Sequence, residues 1–252
     1  MRVLSTFVLI LSFTHLALSQ KCRDYLIYDE VEKVQSYGID TTGNWWILTK
    51  PYNTEYRLII SGIKTDVFKE IRHLSFSPDG KKWAFFGKTT TNWNFVTNDT
   101  IIPLFAEDVL AIGFSKNSED VFYSFKNGVE TTICYNNRMI TLINFLGKIF
   151  VNYDGSKIAF TQQVGKMFSL IIPQHFESER FDSIVPLGFW HDDEIIYAGK
   201  IGNFWQIFKN HQALTEEFTQ LIDMKINNLG TSAAFAIKRN ASDVFVILIS
   251  EK

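Results

Sequence analysis

A short pattern that recurs every 37 or 38 residues is the feature that most constrains how this chain folds. Each copy has an apolar residue, three polar or turn-forming residues, a residue that is usually small, and then a strand-like apolar run. The even spacing of six copies indicates a repeat architecture. The fifth residues of the copies are Gly43, Gly80, Ser118, Gly155, Asp193 and Gly230, at steps of 37, 38, 37, 38 and 37.

Each copy is predicted to form a tight turn between two strands. Asp-Gly and related pairs suit such turns, because glycine accepts a positive φ and aspartate tolerates one. The runs that follow, such as 45–48 and 83–86, are β-branched and aromatic, as strands prefer. A third strand follows each run, centred on Leu58, Phe95, Ile133, Leu170, Ile207 and Val246.

A unit of about 37 residues with three or four short strands cannot bury both of its faces alone. Radial stacking solves this problem, so the sequence predicts an all-β, six-bladed β-propeller. An open β-solenoid is the alternative, but its repeats are usually shorter and richer in glycine. The sixth copy ends soon after its third strand at 245–249. We expect the N-terminal strand Tyr25–Tyr28 to complete that blade and close the ring.

The first 19 residues have the pattern of an export signal. Arg2 is a short basic region, Val3–Leu18 is mostly apolar, and Ala17 and Ser19 are small residues before the expected cleavage at Gln20. A membrane anchor is the alternative, but a spanning helix needs about 20 strongly apolar residues. We therefore expect a secreted or periplasmic protein without a stable membrane span, whose residues 20–252 form one propeller domain.

The segment Phe76–Phe85, with the sequence FSPDGKKWAF, closely resembles the repeat of TolB-type propellers, which are similar to WD-type repeats. The other copies match more loosely, over roughly residues 24–252. TolB carries an α/β domain before its propeller, and we expect none in this chain. The resemblance implies a propeller fold and, by analogy, a non-catalytic binding scaffold of the cell envelope. Propellers host many unrelated activities, so the implied function is only an expectation.

Searches for catalytic patterns give no constellation that favours an enzyme. There is no Gly-x-Ser-x-Gly and no glycine-rich phosphate loop. Sialidase propellers require an arginine cluster and a different Ser/Asp/Gly spacing, and the arginines here are scattered. Trp190–Glu194 gathers plausible hard-metal ligands, but consecutive residues on a tight turn cannot all face one ion, so we interpret it as a solvated acidic turn. No cofactor is expected.

One position of the repeat, at the end of the second strand, is a lysine in five of the six copies, and we call this set of equivalent residues the column. It predicts a ring of cations on one face of the propeller, which would attract an acidic partner. Lysine is also a common residue that keeps strand ends soluble, and both interpretations remain open. The column consists of Lys50, Lys88, Lys126, Gln163, Lys200 and Lys238.

Four aromatic residues lie beside this column: Tyr52, Trp93, Phe204 and Trp205. They are either interface anchors or packing between blades. We predict a binding scaffold for a protein, peptide or envelope polymer, with a secreted glycan hydrolase or a structural adaptor as alternatives. The net charge of −2 gives no reason to expect nucleic acid as a partner.

The two cysteines are predicted not to form a disulfide within one molecule. Cys134 lies on a strand of the third blade, and Cys22 precedes the strand that should complete the sixth. Opposite blades are farther apart than the roughly 7 Å between Cα atoms that a disulfide allows. Asn98 and Asn240 fit the N-glycosylation pattern, which matters only in a eukaryotic host.

Overall fold

The computed structural model describes residues 32–143, 145–191, 193–227, 230–240 and 243–250, which form six antiparallel sheets in chain order. Each strand pairs with its sequence neighbours, and we call the sheets blades 1 to 6. Blade 1 contains β1 (Lys33–Ile39), β2 (Trp45–Tyr52), β3 (Glu55–Ile60) and β4 (Ile63–Phe68). Blade 2 contains β5 (Glu70–Phe76), β6 (Trp83–Lys88), β7 (Trp93–Thr97) and β8 (Ile101–Leu104). Blade 3 contains β9 (Asp108–Phe114), β10 (Val121–Asn127), β11 (Glu130–Tyr135) and β12 (Arg138–Ile143).

The second half of the chain repeats this order. Blade 4 contains β13 (Phe145–Val151), β14 (Ile158–Val164), β15 (Met167–Ile172) and β16 (Phe176–Glu177). Blade 5 contains β17 (Ser183–Trp190), β18 (Glu194–Ile201), β19 (Phe204–Lys209) and β20 (Gln212–Ala213). Blade 6 has three strands within the described residues, namely β21 (Gln220–Ile226), β22 (Ser232–Lys238) and β23 (Val244–Ser250).

The repeated pattern forms the turn between the first and second strands of each blade, as predicted. Five of the six fifth residues have a positive φ: Gly43, Gly80, Ser118, Gly155 and Gly230. The exception is the fifth copy, where β17 continues to Trp190 and the positive φ falls on His191. Phe189 and Trp190 are both buried, so packing extends that strand and shortens the turn.

A polar side chain directly after the first strand holds most of these turns. The Ser77 hydroxyl accepts a hydrogen bond from the Lys82 amide at 2.9 Å, and the Ser115 hydroxyl accepts one from the Asp120 amide at 2.9 Å. Asn152 Oδ1 does the same for the Lys157 amide at 2.9 Å. Serine and asparagine favour such local bonds to the backbone, which explains why they occur at this point of the repeat.

Neighbouring turns bind one another along one face of the propeller, which we call the turn face. Asn44 Nδ2 donates to the Gly80 carbonyl at 2.7 Å, which ties blade 1 to blade 2. The Asp79 amide donates to the Ser118 hydroxyl at 3.0 Å, which ties blade 2 to blade 3. The links that follow around the ring are Asn117 N to Tyr153 O, the Lys157–Asp193 ion pair, and His191 N to Gly230 O. The blades therefore follow one another in chain order.

The hydrophobic core lies between consecutive blades. Between blades 2 and 3, for example, the rings of Phe95 and Tyr123 stack with their centroids 4.0 Å apart. Equivalent clusters fill the spaces between blades 1 and 2, 3 and 4, 4 and 5, and 5 and 6. The third-strand centres predicted for the first five blades are buried, whereas Val246 is 66% exposed. The prediction of an all-β, six-bladed propeller is confirmed.

Every first strand contains a β-bulge or a similar irregularity, which the sequence did not predict. The register between the first and second strands shifts once in each blade, for example between Val34 and Ser36 and between Pro186 and Gly188. A bulge bends its strand and increases its twist. Its recurrence in all six blades makes it part of the architecture of the inner strands.

Three features of the sequence predictions lie outside the described residues, namely the export signal at 1–19, Cys22 and the closing strand Tyr25–Tyr28. Along the part of the chain that the structure covers, no helix is long and apolar enough to cross a membrane.

Two glycines of the repeat provide a test of the contacts between turns. A Cβ atom on Gly80 would lie 2.0 Å from Thr42 Oγ1 of blade 1, whereas a Cβ on Gly43 would meet no described atom within 4 Å. Both residues have a positive φ, so alanine costs roughly 1–2 kcal/mol at either position. At Gly80 we expect overpacking to add about 1–3 kcal/mol. Urea unfolding of Gly80→Ala and Gly43→Ala measures the difference, and equal losses would contradict the contact between the two turns.

Candidate functional site

The predicted lysine column lies at the ends of the second strands, on the face opposite the turn face. We call this the lysine face. It carries the hairpins between second and third strands and the connections between blades. Pairing in the sheets places Lys88 opposite Trp93, Lys200 opposite Trp205 and Lys238 opposite Val244. Because each second strand runs in the same sense, the column follows the ring of blades.

Three column lysines lie over the aromatic ring of a neighbouring strand. Lys50 Nζ is 5.5 Å from the ring centroid of Tyr56. Lys88 Nζ is 5.1 Å from that of Trp93, and Lys200 Nζ is 5.9 Å from that of Trp205. Such a contact contributes about 0.5–1 kcal/mol at an exposed site. The rings therefore restrain these ammonium groups while leaving their charge unneutralised.

The four aromatic residues named from the sequence have different environments. Trp93 is only 1% exposed and packs between blades 2 and 3, so it does not present its ring to solvent. Trp205 is half-buried beneath Lys200. Tyr52 is 61% exposed and Phe204 is 48% exposed. Of these four residues, Tyr52 and Phe204 are thus the most exposed on the lysine face.

The carboxylates closest to the column in the sheets are bound by an arginine that sequence analysis did not select. Glu70 pairs with Lys88 across the sheet, and Asp108 pairs with Lys126. Both carboxylates nevertheless bind Arg72, with Arg72 Nη1 2.7 Å from Asp108 Oδ1. The hydrogen bond to Glu70 is the main reason that the pKa of Arg72 is raised. Among the described residues, none of the five column lysines forms an ion pair.

Two further acids of this face hold the hairpins. Glu107 Oε2 accepts a hydrogen bond from the Gly128 amide at 3.0 Å, and Asp182 Oδ2 accepts one from the Gly202 amide at 2.7 Å. Each acid lies just before the first strand of its blade and binds the hairpin of the same blade. Their charge therefore has a structural role in ordering the lysine face.

Exposed apolar side chains stand at the tips of the hairpins and in one connection between blades. Ile201 and Phe204 pair across the β18–β19 hairpin, immediately beyond the Lys200–Trp205 pair. Aromatic and aliphatic groups next to cations are typical of protein interfaces. The exposed set on this face includes Tyr52, Phe105, Val129, Ile201, Phe204 and Val244.

Two acidic residues of the turn Trp190–Glu194 form ion pairs with different lysines. Asp193 pairs with Lys157 of blade 4, and Glu194 Oε2 lies 3.0 Å from Lys209 Nζ of blade 5. Asp192 is outside the described residues. Within the described ranges, no group of three or more His, Cys, Asp or Glu residues could hold a metal ion.

Of the remaining sequence candidates, Cys134 and Asn98 lie away from the lysine face, whereas Asn240 lies in the β22–β23 hairpin on that face. Cys134 is buried in blade 3, where burial raises the pKa of its thiol, while Cys22 is outside the described residues. Asn98 has a structural role in its turn, because its Oδ1 accepts from the Trp83 amide at 2.6 Å and its Nδ2 donates to the Lys81 carbonyl at 3.1 Å. Asn240 is exposed.

Comparisons with known proteins identify the fold and not the ligand. No family model matches the chain, and no curated protein matches it. The propeller domain of the Trilobed protease from Pyrococcus furiosus, described as having an open velcro topology, is similar with a TM-score of 0.50 and 12% identity. The match covers 89% of this chain and 83% of that one.

Two other solved structures show weaker likeness. Acylaminoacyl peptidase from Pyrococcus horikoshii has a TM-score of 0.47 and 13% identity, over 88% of this chain and 46% of that chain. TolB from Acinetobacter baumannii has a TM-score of 0.41 and 15% identity, over 82% of this chain and 60% of that chain. This chain thus spans less than two thirds of either of those proteins. At such identities a likeness shows the fold alone: the chain is a β-propeller.

Proposed function

We propose that this propeller is a non-catalytic binding module, in the periplasm or outside the cell, which binds an acidic protein or peptide on its lysine face. The observation that carries the proposal is the unequal pairing of charge on that face. Glu70 and Asp108 are both bound to Arg72, whereas the column lysines have no carboxylate partner in the described part of the chain. The unpaired column lysines attract negative charge to this face, on which Glu130, Glu216 and Glu217 also lie without a partner among the described residues.

The restraint of the lysines supports binding as well as attraction. Lys50, Lys88 and Lys200 are held over aromatic rings, so fewer side-chain conformations remain to be lost when a partner binds. The exposed Ile201 and Phe204 beside them offer apolar area for burial. Charge would then speed association and select acidic partners, while the apolar tips would contribute affinity.

Export is supported by the pattern of residues 1–19, and the repeat at 76–85 favours an envelope scaffold by resemblance. A glycan hydrolase would need one carboxyl group as acid and a second as base or nucleophile. Glu70 and Asp108 are the pair of carboxylates that meet beside the column, and Arg72 binds both of them. That arrangement favours a structural tie between blades 2 and 3 over acid–base chemistry.

The test uses fluorescein-labelled poly-L-glutamate as an acidic probe and measures its anisotropy with the protein in low salt. Changing Lys50, Lys88, Lys126, Lys200 and Lys238 to glutamine should weaken binding at least about tenfold, and added salt should weaken it further. The matched control changes five lysines distant from the lysine face to glutamine, with the same change in net charge: Lys64, Lys81, Lys116, Lys209 and Lys225. The control should bind like the unmodified protein.

Three results would contradict the proposal: no binding of the probe, binding that is insensitive to salt, or equal losses in the two variants. Melting curves show whether both variants fold. The column variant should lose only about 0.5–1 kcal/mol for each of the three ring contacts.

A further inference from the structure

A cavity of about 470 Å³ opens at the turn face between blades 2 and 3. Its walls come from the outer strands and turns of the two blades, and its floor includes the stacked rings of Phe95 and Tyr123. Cys134 is buried and lies directly opposite Tyr123 in the β10–β11 pair. The aromatic rings and the small thiol make this part of the cavity largely apolar.

Two of the positions that line the cavity carry the smallest side chain of their column of the repeat. The pairing of second and third strands shows which residues are equivalent between blades. Cys134 pairs with Tyr123 in blade 3, and Val96 pairs with Phe85 in blade 2, so Cys134 and Val96 occupy the same position. Cys134 is the smallest residue of its column, which otherwise contains Ile59, Val96, Ile171, Phe208 and Ile247. Thr97 is likewise the smallest of its own column, and Val121 stands where blades 1 and 2 have Trp45 and Trp83.

The size of the cavity indicates what it can hold. A cavity of 150 Å³ binds one benzene molecule, so 470 Å³ has room for two or three rings. This volume is also within the usual range for small-molecule sites, about 300–1,000 Å³. A flat apolar body would contact the aromatic floor over its whole face.

The rim of the cavity adds charged groups. Lys82, Asp99, Glu119 and Arg138 all line the cavity. Glu119 Oε2 accepts a hydrogen bond from Asn117 Nδ2 at 3.1 Å, whereas Arg138 makes no ion pair among the described residues. Asn98 and Asn136 line the cavity as well, and the Asn98 amide is bound to the backbone of its own turn. An arginine fork next to an apolar cavity favours a carboxylate or sulfonate at the open end of the ligand.

We propose that this cavity binds a small amphipathic molecule with a flat apolar body of two or three rings and an anionic head that contacts Arg138. The site is separate from the lysine face and does not depend on the function proposed for that face. It requires only the packing of blade 2 against blade 3.

The probe for the test is 1-anilinonaphthalene-8-sulfonate, which has three rings and one sulfonate. We expect saturable binding of one molecule, measured by fluorescence and calorimetry on the folded protein. Cys134→Ile introduces the residue found in three other blades and should abolish binding by filling the cavity. Arg138→Gln should weaken it about tenfold, whereas Arg239→Gln, a control distant from the cavity, should have no effect.

A neutral analogue separates the two parts of the proposal. N-phenyl-1-naphthylamine lacks the sulfonate, so it should bind more weakly than the anionic probe and should not respond to Arg138→Gln. If Cys134→Ile does not fold, Val121→Trp provides a second way to fill the cavity with a residue that two other blades carry. The absence of one-to-one binding, or binding retained in a folded cavity-filled variant, would overturn the proposal.

Discussion

Removal of residues 21–31 should cause a loss of several kcal/mol of stability and make the protein aggregate. In the described residues β23 is the outermost strand of a three-stranded blade, whereas each of the other five blades has a fourth strand. Val244, Val246 and Leu248 of β23 are exposed apolar side chains. An uncovered apolar edge strand is a template for association with other chains.

The spacing of the chain supports the N-terminal segment as the missing strand. Four residues separate Tyr28 from the start of β1. The connections between other blades range from one residue, between β4 and β5, to six, between β20 and β21. The segment Tyr25–Tyr28 thus has a connection of ordinary length for a fourth strand, and each buried apolar side chain in it would contribute about 1.5–3 kcal/mol.

Urea unfolding and light scattering on the truncated chain test this prediction. In the complete chain Ile27→Pro should reproduce part of the loss, because proline cannot donate to a strand ladder. Asp29→Ala, placed after the predicted strand, is the matched control and should have little effect. A truncated protein that remains monomeric with an unchanged melting temperature would show that the ring is not closed in this way. The Trilobed protease propeller is described as open, so closure needs its own test.

Replacement of Trp93 with alanine should cost about 3–5 kcal/mol of stability, which is the usual cost of removing a fully buried aromatic side chain. Trp93 is 1% exposed and belongs to the core between blades 2 and 3. Its ring also contacts the cations of Lys88 and Arg72, each at 5.1 Å. Phe204→Ala, at an exposed tip, should change stability by less than about 1 kcal/mol and affect binding instead.

Trp93→Phe separates packing from hydrogen bonding. The buried Trp93 Nε1 has no hydrogen-bond partner among the described residues, so phenylalanine removes an unsatisfied group and should restore much of the stability lost in Trp93→Ala. Chemical denaturation of the three variants provides the comparison. If Trp93→Ala proved as stable as the unmodified protein, the ring would not be a core element.

Local signals explain which parts of the fold could be predicted. The turns at Gly80 and Gly155 could be predicted because each follows an aspartate at the period of the repeat. Glycine adopts a positive φ without steric cost, so such a turn depends only on local sequence. The turn at His191 was displaced because Trp190 is buried against blade 6, a contact that local sequence does not reveal. The bulges of the first strands have no common residue type, so no pattern marked them.

The place of the column lysines in the fold could be predicted from the sequence, but the contacts of their neighbours could not. The spacing of the repeat placed Lys88 and Lys200 correctly at equivalent strand ends. Trp93 is buried by residues of blade 3, and Arg72 of blade 2 binds Asp108 of blade 3. The sequence pattern within one blade does not indicate such contacts between blades. The cavity at Cys134 did leave a signal, since alignment of the third strands shows that residue to be the smallest of its column.

Hydrogen–deuterium exchange with and without poly-L-glutamate is the most direct test of binding on the lysine face. We expect protection in the hairpins at 50–55, 126–130 and 200–205, and none in the turns at 40–44 and 77–82 on the opposite face. Protection should disappear when the five column lysines are changed to glutamine and should persist in the variant with five control lysines changed. Protection confined to the turn face, or no protection at any hairpin while the probe is bound, would contradict the assignment of the lysine face as the binding surface.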